Sequence, residues 1–512
     1  MTWFRSDAFR KTWGPVLASV ALMTLAFPPF NIFLLVFLAP APWIASLRHK
    51  TGRESAKSGY VFGALLLAGQ MFWVVQFVGK WTGSPAMGAV PWLISAFLAG
   101  FFYALLGWVI NLCWRLRWPW LIPLAWAGLE GLRAFIPVLA FPWVILANPL
   151  WLVPAIGQPA AYGTVFLVSA WVLIPSILIA GSMSARTLEE RLDLRSTVRL
   201  AMAFAGISLL GAVRLFQTPS TFTQTITLGQ PGVDMAFTTP EDEAMQLRRA
   251  SLDLLNAAVI QDSNLLILPE GYAGDVPQLP PQTPLGEQPP VNIIMGGARR
   301  TEKGIYQAAF TWDGREWAFG DKTRLVAFGE YVPFREFLPF ASSFNVIPID
   351  LIPGQTLVTP KVGEMRLGPL ICFEGLFPDL AAHHGRQGAQ VLVQMSIDDW
   401  YEFTPAHEQL WQSSIWRSIE SGLPLVRVGA RGKTLATDDR GRLIAAAPIG
   451  RTAPVKVTLN VPFASDSFPH RMVFVYLCWA ISLGIIGLGL ARRVPPPSPD
   501  APLPDPTPKN AG

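Results

Sequence analysis

The chain has 512 residues, of which 51% are hydrophobic and only 15% charged, against about 25% charged in an ordinary soluble domain. Such a composition excludes a wholly water-soluble protein, and three cysteines exclude a disulfide scaffold. The net charge of +5 sits largely in short loops between apolar runs, so it reports topology and gives no ground for nucleic-acid binding.

Apolar runs dominate residues 13–215 and 471–491, whereas 216–470 read as a water-soluble insert. A spanning helix needs about 20 mostly apolar residues. Eight stretches are predicted on that basis: 13–30, 31–47, 59–79, 88–113, 118–136, 160–181, 198–215 and 471–491. Pro28-Pro29 leaves the first two short. The first apolar run lacks a small-residue cleavage site and leads into further spans, so it does not read as a cleaved signal peptide.

The basic residues fall in alternate loops: Arg5, Arg10 and Lys11; Arg48, Lys50, Arg53 and Lys57; Arg115 and Arg117; Arg186, Arg191, Arg195 and Arg199; Arg492 and Arg493. Lys80 is the main exception. The bias places both termini in the cytoplasm and the insert on the outer side. Residues 494–512, proline-rich and polar, are expected to be disordered.

Within the fifth predicted span, Glu130 and Arg133 lie three apart on one helical face and can pair. The pair either locks the bundle or lines a polar cavity. Trp143, in Phe141-Pro142-Trp143, is an interfacial anchor or part of a lipid entry route.

The insert opens with a strand near Thr221–Leu228 and a helix over 240–260, with Met245, Leu247, Leu252, Leu255 and Val259 on one face. Leu265–Leu268 is a buried strand ending in Pro269-Glu270, where a partly desolvated carboxylate can act as a general base. A proline-rich loop covers 276–291, and strands follow near 292–297, 306–312 and 316–320, the last two joined at Asp313-Gly314. Lys322 stands just past that strand and Glu330 in a glycine-containing turn. Phe334, Phe337, Phe340, Phe344 and Ile347 form an aromatic segment that dips into lipid, lids an acyl site or packs as a loop core.

Next comes Leu367–Phe373, an apolar run read as a short buried strand with Cys372 near its end and Glu374 two residues past the cysteine. Cys372 is the only cysteine in the polar part of the chain, so on the outer side it is a thiol in use or a well-buried one. A helix at 378–387 carries His383-His384; adjacent residues share no helix face, so no metal site is expected. A strand at 390–395, Ser396-Ile-Asp-Asp-Trp400-Tyr401, a helix at 405–421, a strand at 424–428, a turn at 438–441 and a strand at 453–461 complete the insert.

Glu270, Lys322 and Cys372 thus stand at three separate strand ends. Base, cation and thiol are what covalent acyl transfer needs. Leu268-Pro-Glu270, Lys322 with Gly329-Glu-Tyr-Val-Pro333, and Cys372-Phe-Glu374 resemble the Glu-Lys-Cys pattern of the nitrilase superfamily, whose fold is an α-β-β-α sandwich. Ala26-Phe-Pro-Pro-Phe30, Glu130-Gly-Leu-Arg133 and Phe141-Pro-Trp143 extend the similarity to its membrane-embedded branch, the apolipoprotein N-acyltransferases.

That resemblance implies a seven-helix bundle over 1–215, a periplasmic catalytic domain over 216–470, an eighth helix at 471–493 and a cytoplasmic tail, in a bacterial inner membrane. It implies Glu270 as base, Lys322 as oxyanion cation and Cys372 as nucleophile, with Glu330 and Glu374 in support. It implies no cofactor and no metal. A phospholipid is the implied acyl donor and the diacylglyceryl cysteine of apolipoproteins the acceptor; Trp143, Phe334, Phe337, Phe340 and Trp400 are the candidate substrate- or lipid-binding residues. Ile397 and Ala430-Arg431 depart from the asparagines usual in the family, Ala327 from a proline and Phe373 from Tyr or Trp. A membrane-bound amidase hydrolysing a carbon–nitrogen bond, and a non-catalytic lipid-binding protein, are the competing readings.

Overall fold

A computed structural model of the chain describes residues 7–185, 193–337, 349–401, 404–465 and 470–491. The predicted tail, Phe340, Phe344 and Ile347 lie outside the described residues.

The N-terminal part is helical: α1 (Asp7–Ala26), α2 (Ala41–Leu47), α3 (Gly52–Gln70), α4 (Trp73–Thr82), α5 (Pro85–Arg115), α6 (Ile122–Phe135), α7 (Pro154–Gly157), α8 (Ala160–Ser184) and α9 (Leu194–Leu215). Among the described residues, α5, α8, α9 and the final helix Val473–Ala491 are long and apolar enough to cross a membrane. A fifth candidate is the pair α3 and α4, bent by 54° at their join. By length and composition these account for up to five of the eight spans expected among the described residues, and the count of eight is not confirmed. Stretch 31–47 is a short 3-10 turn, Phe33–Phe37, followed by α2, with Pro40 and Pro42 at the break. Stretch 118–136 yields only the 14 residues of α6, preceded by a 3-10 turn at Pro119–Leu121.

Glu130 and Arg133 do not pair with each other. Glu130 Oε1 accepts from Trp126 Nε1 at 2.9 Å and Leu146 N at 2.7 Å, while Arg133 donates to the Tyr103 hydroxyl at 3.2 Å and to the Trp143 carbonyl. The reason lies in residues 141–147, which are non-helical and mostly buried in the bundle. Unwound backbone in a dry interior needs partners, and these two side chains supply them.

The insert contains β1 (Thr221–Gln230), α10 (Pro240–Ile260), β2 (Leu265–Ile267), β3 (Asp275–Val276), β4 (Ile293–Thr301), β5 (Gly304–Trp312), β6 (Trp317–Asp321), β7 (Lys361–Val362), β8 (Met365–Ile371), α11 (Pro378–Arg386), β9 (Val391–Ser396), α12 (Pro405–Ser421), β10 (Leu425–Gly429), β11 (Leu435–Thr437), β12 (Leu443–Ala446) and β13 (Ala453–Pro462); α13 (Val473–Ala491) follows. One sheet runs β13-β1-β2-β4-β5-β6, with β3 beside β4; the other runs β12-β11-β10-β9-β8-β7. Pairings β1/β2, β2/β4, β8/β9 and β9/β10 are parallel.

Period-2 alternation sorts the strand residues into layers. Leu265 and Ile267 face Leu367, Ile371, Val391 and Val393 across the inter-sheet core. Leu266 and Leu268 point the other way, onto Leu247, Leu254 and Ala258 of α10. That helix buries part of the predicted stripe: Leu247 is buried and Leu255 packs on the core, but Met245, Leu252 and Val259 are half exposed, because Ala250, Ser251, Leu254 and Ala258 complete the docking face.

On the opposite side, Leu370 and Leu392 pack beneath Leu410, Trp416 and Ile419 of α12, in one core with the bundle. Helix α12 is therefore buried on every side, and it meets the bundle through polar contacts. Trp143 Nε1 donates to Gln409 Oε1 at 2.6 Å, Asn148 to Ser413 at 2.8 Å, and Val165 N to Glu420 at 2.8 Å. Val165 N is free to do so because α8 is broken at Gly163-Thr164. Helix α13 returns to close the bundle against α6, with Trp479 Nε1 donating to the Gly128 carbonyl at 2.8 Å.

Candidate active site

Three strand ends converge. Lys322 directly follows β6, Cys372 directly follows β8, and Glu270 lies three residues past β2. All three side chains are buried: Lys322 is 1% exposed, Glu270 5% and Cys372 9%. Cys372 has φ +51°, in the left-handed region. A non-glycine residue there costs about 1 kcal/mol or more, and strain at the head of a strand turns the thiol toward the other two groups.

Lys322 Nζ lies 2.5 Å from Glu330 Oε1 and 3.7 Å from Glu270 Oε1. Glu330 Oε2 accepts from Val326 N at 2.8 Å, which fixes the turn that carries it. Glu270 Oε1 accepts from Gln307 at 3.3 Å and Oε2 from Ile397 N at 3.1 Å. At Gly296 of β4 a Cβ would lie 2.6 Å from Glu270 Cα, so only glycine lets that strand pass behind the carboxylate. Glu374 does not touch the Lys322 ammonium. It accepts from Ile371 N at 3.0 Å, Thr323 N at 2.9 Å and Arg324 N at 3.0 Å, tying the backbone after Lys322 to the turn after Cys372.

The electrostatics follow from burial. Desolvation, then the nearby Glu270 carboxylate, pushes the Cys372 thiol well up, so it rests protonated. Desolvation also raises Glu270 against the opposing pull of Lys322, which makes it a stronger base than an exposed glutamate. Burial opposes the charge on Lys322, but Glu330 and Glu270 outweigh it and keep the ammonium protonated. The resting site is a neutral thiol beside a basic carboxylate and a fixed cation.

The aromatic residues fall in different places. Trp143 is buried, stacked on Phe141 at 5.3 Å and against Trp73 at 5.5 Å. Phe141 in turn meets Phe373, beside the thiol, at 6.2 Å. Trp400 packs on Trp81 at 5.0 Å. Phe334 and Phe337 are exposed, 65% and 78%. A cavity of about 380 Å³ opens at the boundary of bundle and insert, lined by Phe135, Ile136, Val138, Thr323, Leu325 and Phe373 among others. Sequence reasoning passed over Ser396, whose Oγ lies 3.6 Å from Cys372 Sγ, and Gln394, which donates to the Cys372 carbonyl at 2.8 Å. Both sit in β9, and only the β8/β9 pairing brings them to the thiol.

A two-sheet sandwich flanked by helices, with Glu, Lys and Cys meeting at strand ends, defines a protein of the carbon–nitrogen hydrolase class, and the carbon-nitrogen hydrolase family model matches residues 287–459. Residues 19–178 match a second model, the apolipoprotein N-acyltransferase N-terminal domain. Together the two matches make the chain similar to the apolipoprotein N-acyltransferases in both its helical part and its insert. Relatives so named align along nearly its whole length: 27% identity in Geobacter metallireducens, covering 94% of this chain and 96% of the relative, and 26% in Vibrio vulnificus, covering 94% and 98%. A third, from Brucella suis, is 28% identical over 84% of this chain and 87% of its own. Among solved structures, a nitrilase-superfamily member from Saccharomyces cerevisiae, Nit3, aligns at TM-score 0.36 and 20% identity over 46% of this chain and 90% of that one.

Proposed function

We propose that this chain transfers a fatty acyl group from a phospholipid to the α-amine of the N-terminal diacylglyceryl cysteine of apolipoproteins, through a thioester on Cys372. The observation that carries this reading is the meeting of Glu270, Lys322 and Cys372 next to a cavity at the boundary between bundle and insert, which the neighbouring Thr323 and Phe373 line.

In the first half-reaction Glu270 takes the thiol proton and sulfur attacks the donor ester carbonyl. Lys322 faces the oxyanion. The carbon–oxygen bond breaks, and the departing lysophospholipid oxygen takes the proton from Glu270. In the second, the acceptor amine attacks the thioester, Glu270 accepts the amine proton, and the thiolate leaves and is reprotonated. Glu330 holds the ammonium, and Glu374 fixes the backbone on which Lys322 sits.

The same reading makes residues 216–470 the catalytic domain, on the periplasmic face of an inner membrane, with both termini cytoplasmic. Its support is the one-sided distribution of Lys and Arg in the short loops. Phe334 and Phe337, exposed beside the cavity-lining loop, and Trp143 and Trp400 in the aromatic layer, are the residues assigned to lipid.

The test is intact mass spectrometry of the purified protein incubated with phospholipid, alongside Cys372→Ser. A hydroxylamine-labile acyl adduct on the wild type alone is expected, followed by an amide on a diacylglyceryl peptide. Free fatty acid in place of amide would favour the amidase; no adduct with any donor would overturn the reading.

A further inference from the structure

Cys372 faces a second polar chain, one that the Glu270–Lys322 pair does not use. Ser396, the last residue of β9, is fully buried, with Oγ 3.6 Å from Cys372 Sγ and 2.8 Å from Asp398 Oδ1. Asp398 is buried too and already well served. Arg427 donates to its two oxygens at 2.6 and 2.8 Å, Lys433 N donates at 3.2 Å, and His407 Nε2 stands 3.3 Å away. Burial alone would favour the neutral acid, but the Arg427 guanidinium and His407 hold Asp398 far below the usual carboxylate range. It is an anion throughout.

A serine hydroxyl has one proton, so Ser396 cannot donate to Asp398 and to sulfur at once. We propose that Ser396 is a positioning residue whose hydroxyl proton points at Asp398 while Cys372 is a thiol and turns to Sγ whenever Cys372 is a thiolate. This rests on the reading of Cys372 as acyl carrier.

No proton is transferred in this step: the thiol proton goes to Glu270 and the Ser396 O–H only rotates. Two features drive the rotation. Asp398 keeps its contacts to Arg427, Lys433 N and His407 after losing the hydroxyl, so that loss is small. A buried thiolate has a strong need of a donor, and the Lys322 ammonium is already held by Glu330. The thiolate appears twice, as nucleophile in the first half-reaction and as leaving group in the second. Both halves therefore depend on Ser396.

The charged and titratable groups around Cys372 are Glu270 after β2, Lys322 after β6, Glu330 in the following turn and Tyr401 beyond β9, with Glu374 beyond β8 acting on Lys322. Ser396→Ala alters none of them. The experiment uses the full chain in detergent, and follows alkylation of Cys372 by iodoacetamide against pH, with peptide mass locating the label. Single-turnover rates of thioester formation and of transfer to a diacylglyceryl peptide are measured in parallel.

Ser396→Ala is expected to move the thiol titration up by about one pH unit, equivalent to about tenfold less thiolate, and to slow both half-reactions by about tenfold or more. Ser396→Thr and Ser396→Val match in volume and differ in the hydroxyl, so Thr should exceed Val by a similar factor even if Ala folds poorly. An unchanged alkylation profile in Ser396→Ala, or equal rates for Thr and Val, overturns the proposal. The alkylation profile needs no lipid, so it reports on Ser396 even if the wild type forms no thioester, an outcome that would instead sink the acyl-carrier reading.

Discussion

Replacing Lys322 by methionine keeps the volume of the side chain and removes its charge. At an effective dielectric of about 20, unit charges 3.7 Å apart, the separation of Lys322 Nζ and Glu270 Oε1, interact by about 4 kcal/mol. Glu330 lies closer still, at 2.5 Å. Much of this is offset by desolvation, but removing one partner of a buried pair leaves the other charge uncompensated. Lys322→Met should therefore raise Glu270 further and leave the thiolate without a cation. One preorganised oxyanion donor is worth about 10²–10³ in rate, and the loss of thiolate multiplies it, so thioester formation should fall by at least about a thousandfold. The assay is single-turnover acylation with a fluorescent phospholipid, read by gel and by intact mass, with Cys372→Ser as the zero. A Lys322→Met protein that acylates within about tenfold of wild type would refute the assignment of the cation.

Glu330→Gln removes a like charge that raises Glu270 and leaves Lys322 to act on Glu270 alone. Both effects lower the base, which burial raises in the wild type, so the acid limb of kcat/KM should move to lower pH than in the wild type; a pH–rate profile checks it. Gly296→Ala would put a Cβ 2.6 Å from Glu270 Cα and should cut acylation by about tenfold or more while the Cys372 alkylation rate falls less; equal losses in both would mean a general collapse of the site. Trp143→Phe deletes the donor to Gln409 at 2.6 Å and leaves a buried acceptor short of a partner, which should cost about 1–3 kcal/mol, seen as a lower unfolding temperature in detergent.

The site could be read in the sequence where an apolar run ends in a chemically able residue. Leu265–Leu268 before Glu270 and Leu367–Ile371 before Cys372 are buried strands in both sheets, and the hairpin at Asp313-Gly314 delivers Lys322 as expected. Ser396, Asp398 and Arg427 were hidden because their partnership is made by strand order. Asp398 meets Arg427 across the parallel β9/β10 pairing, and no local pattern announces that neighbour. The buried face of α10 was only partly legible, through Leu247 and Leu255, because alanine and serine carry little hydrophobic signal while the larger Met245 and Leu252 face outward. The count of eight spans is not confirmed where proline interrupts apolar stretches that composition alone reads as continuous, and the Glu130–Arg133 pair failed because unwound backbone elsewhere in the chain claims both groups.

Helix α13 is the last element among the described residues, yet it docks against α6, which is made some 340 residues earlier. A ribosome delivers these helices in order, so the groove on α6 must stand empty while the whole sandwich is synthesised. Helix α12 likewise arrives late at a surface of the bundle that already presents Trp143, Asn148 and the exposed amide of Val165. Assembly thus closes from the outside inward, and a chain stopped anywhere before residue 473 leaves a half-built membrane domain with open seams, a ready substrate for quality-control proteolysis rather than a smaller working enzyme.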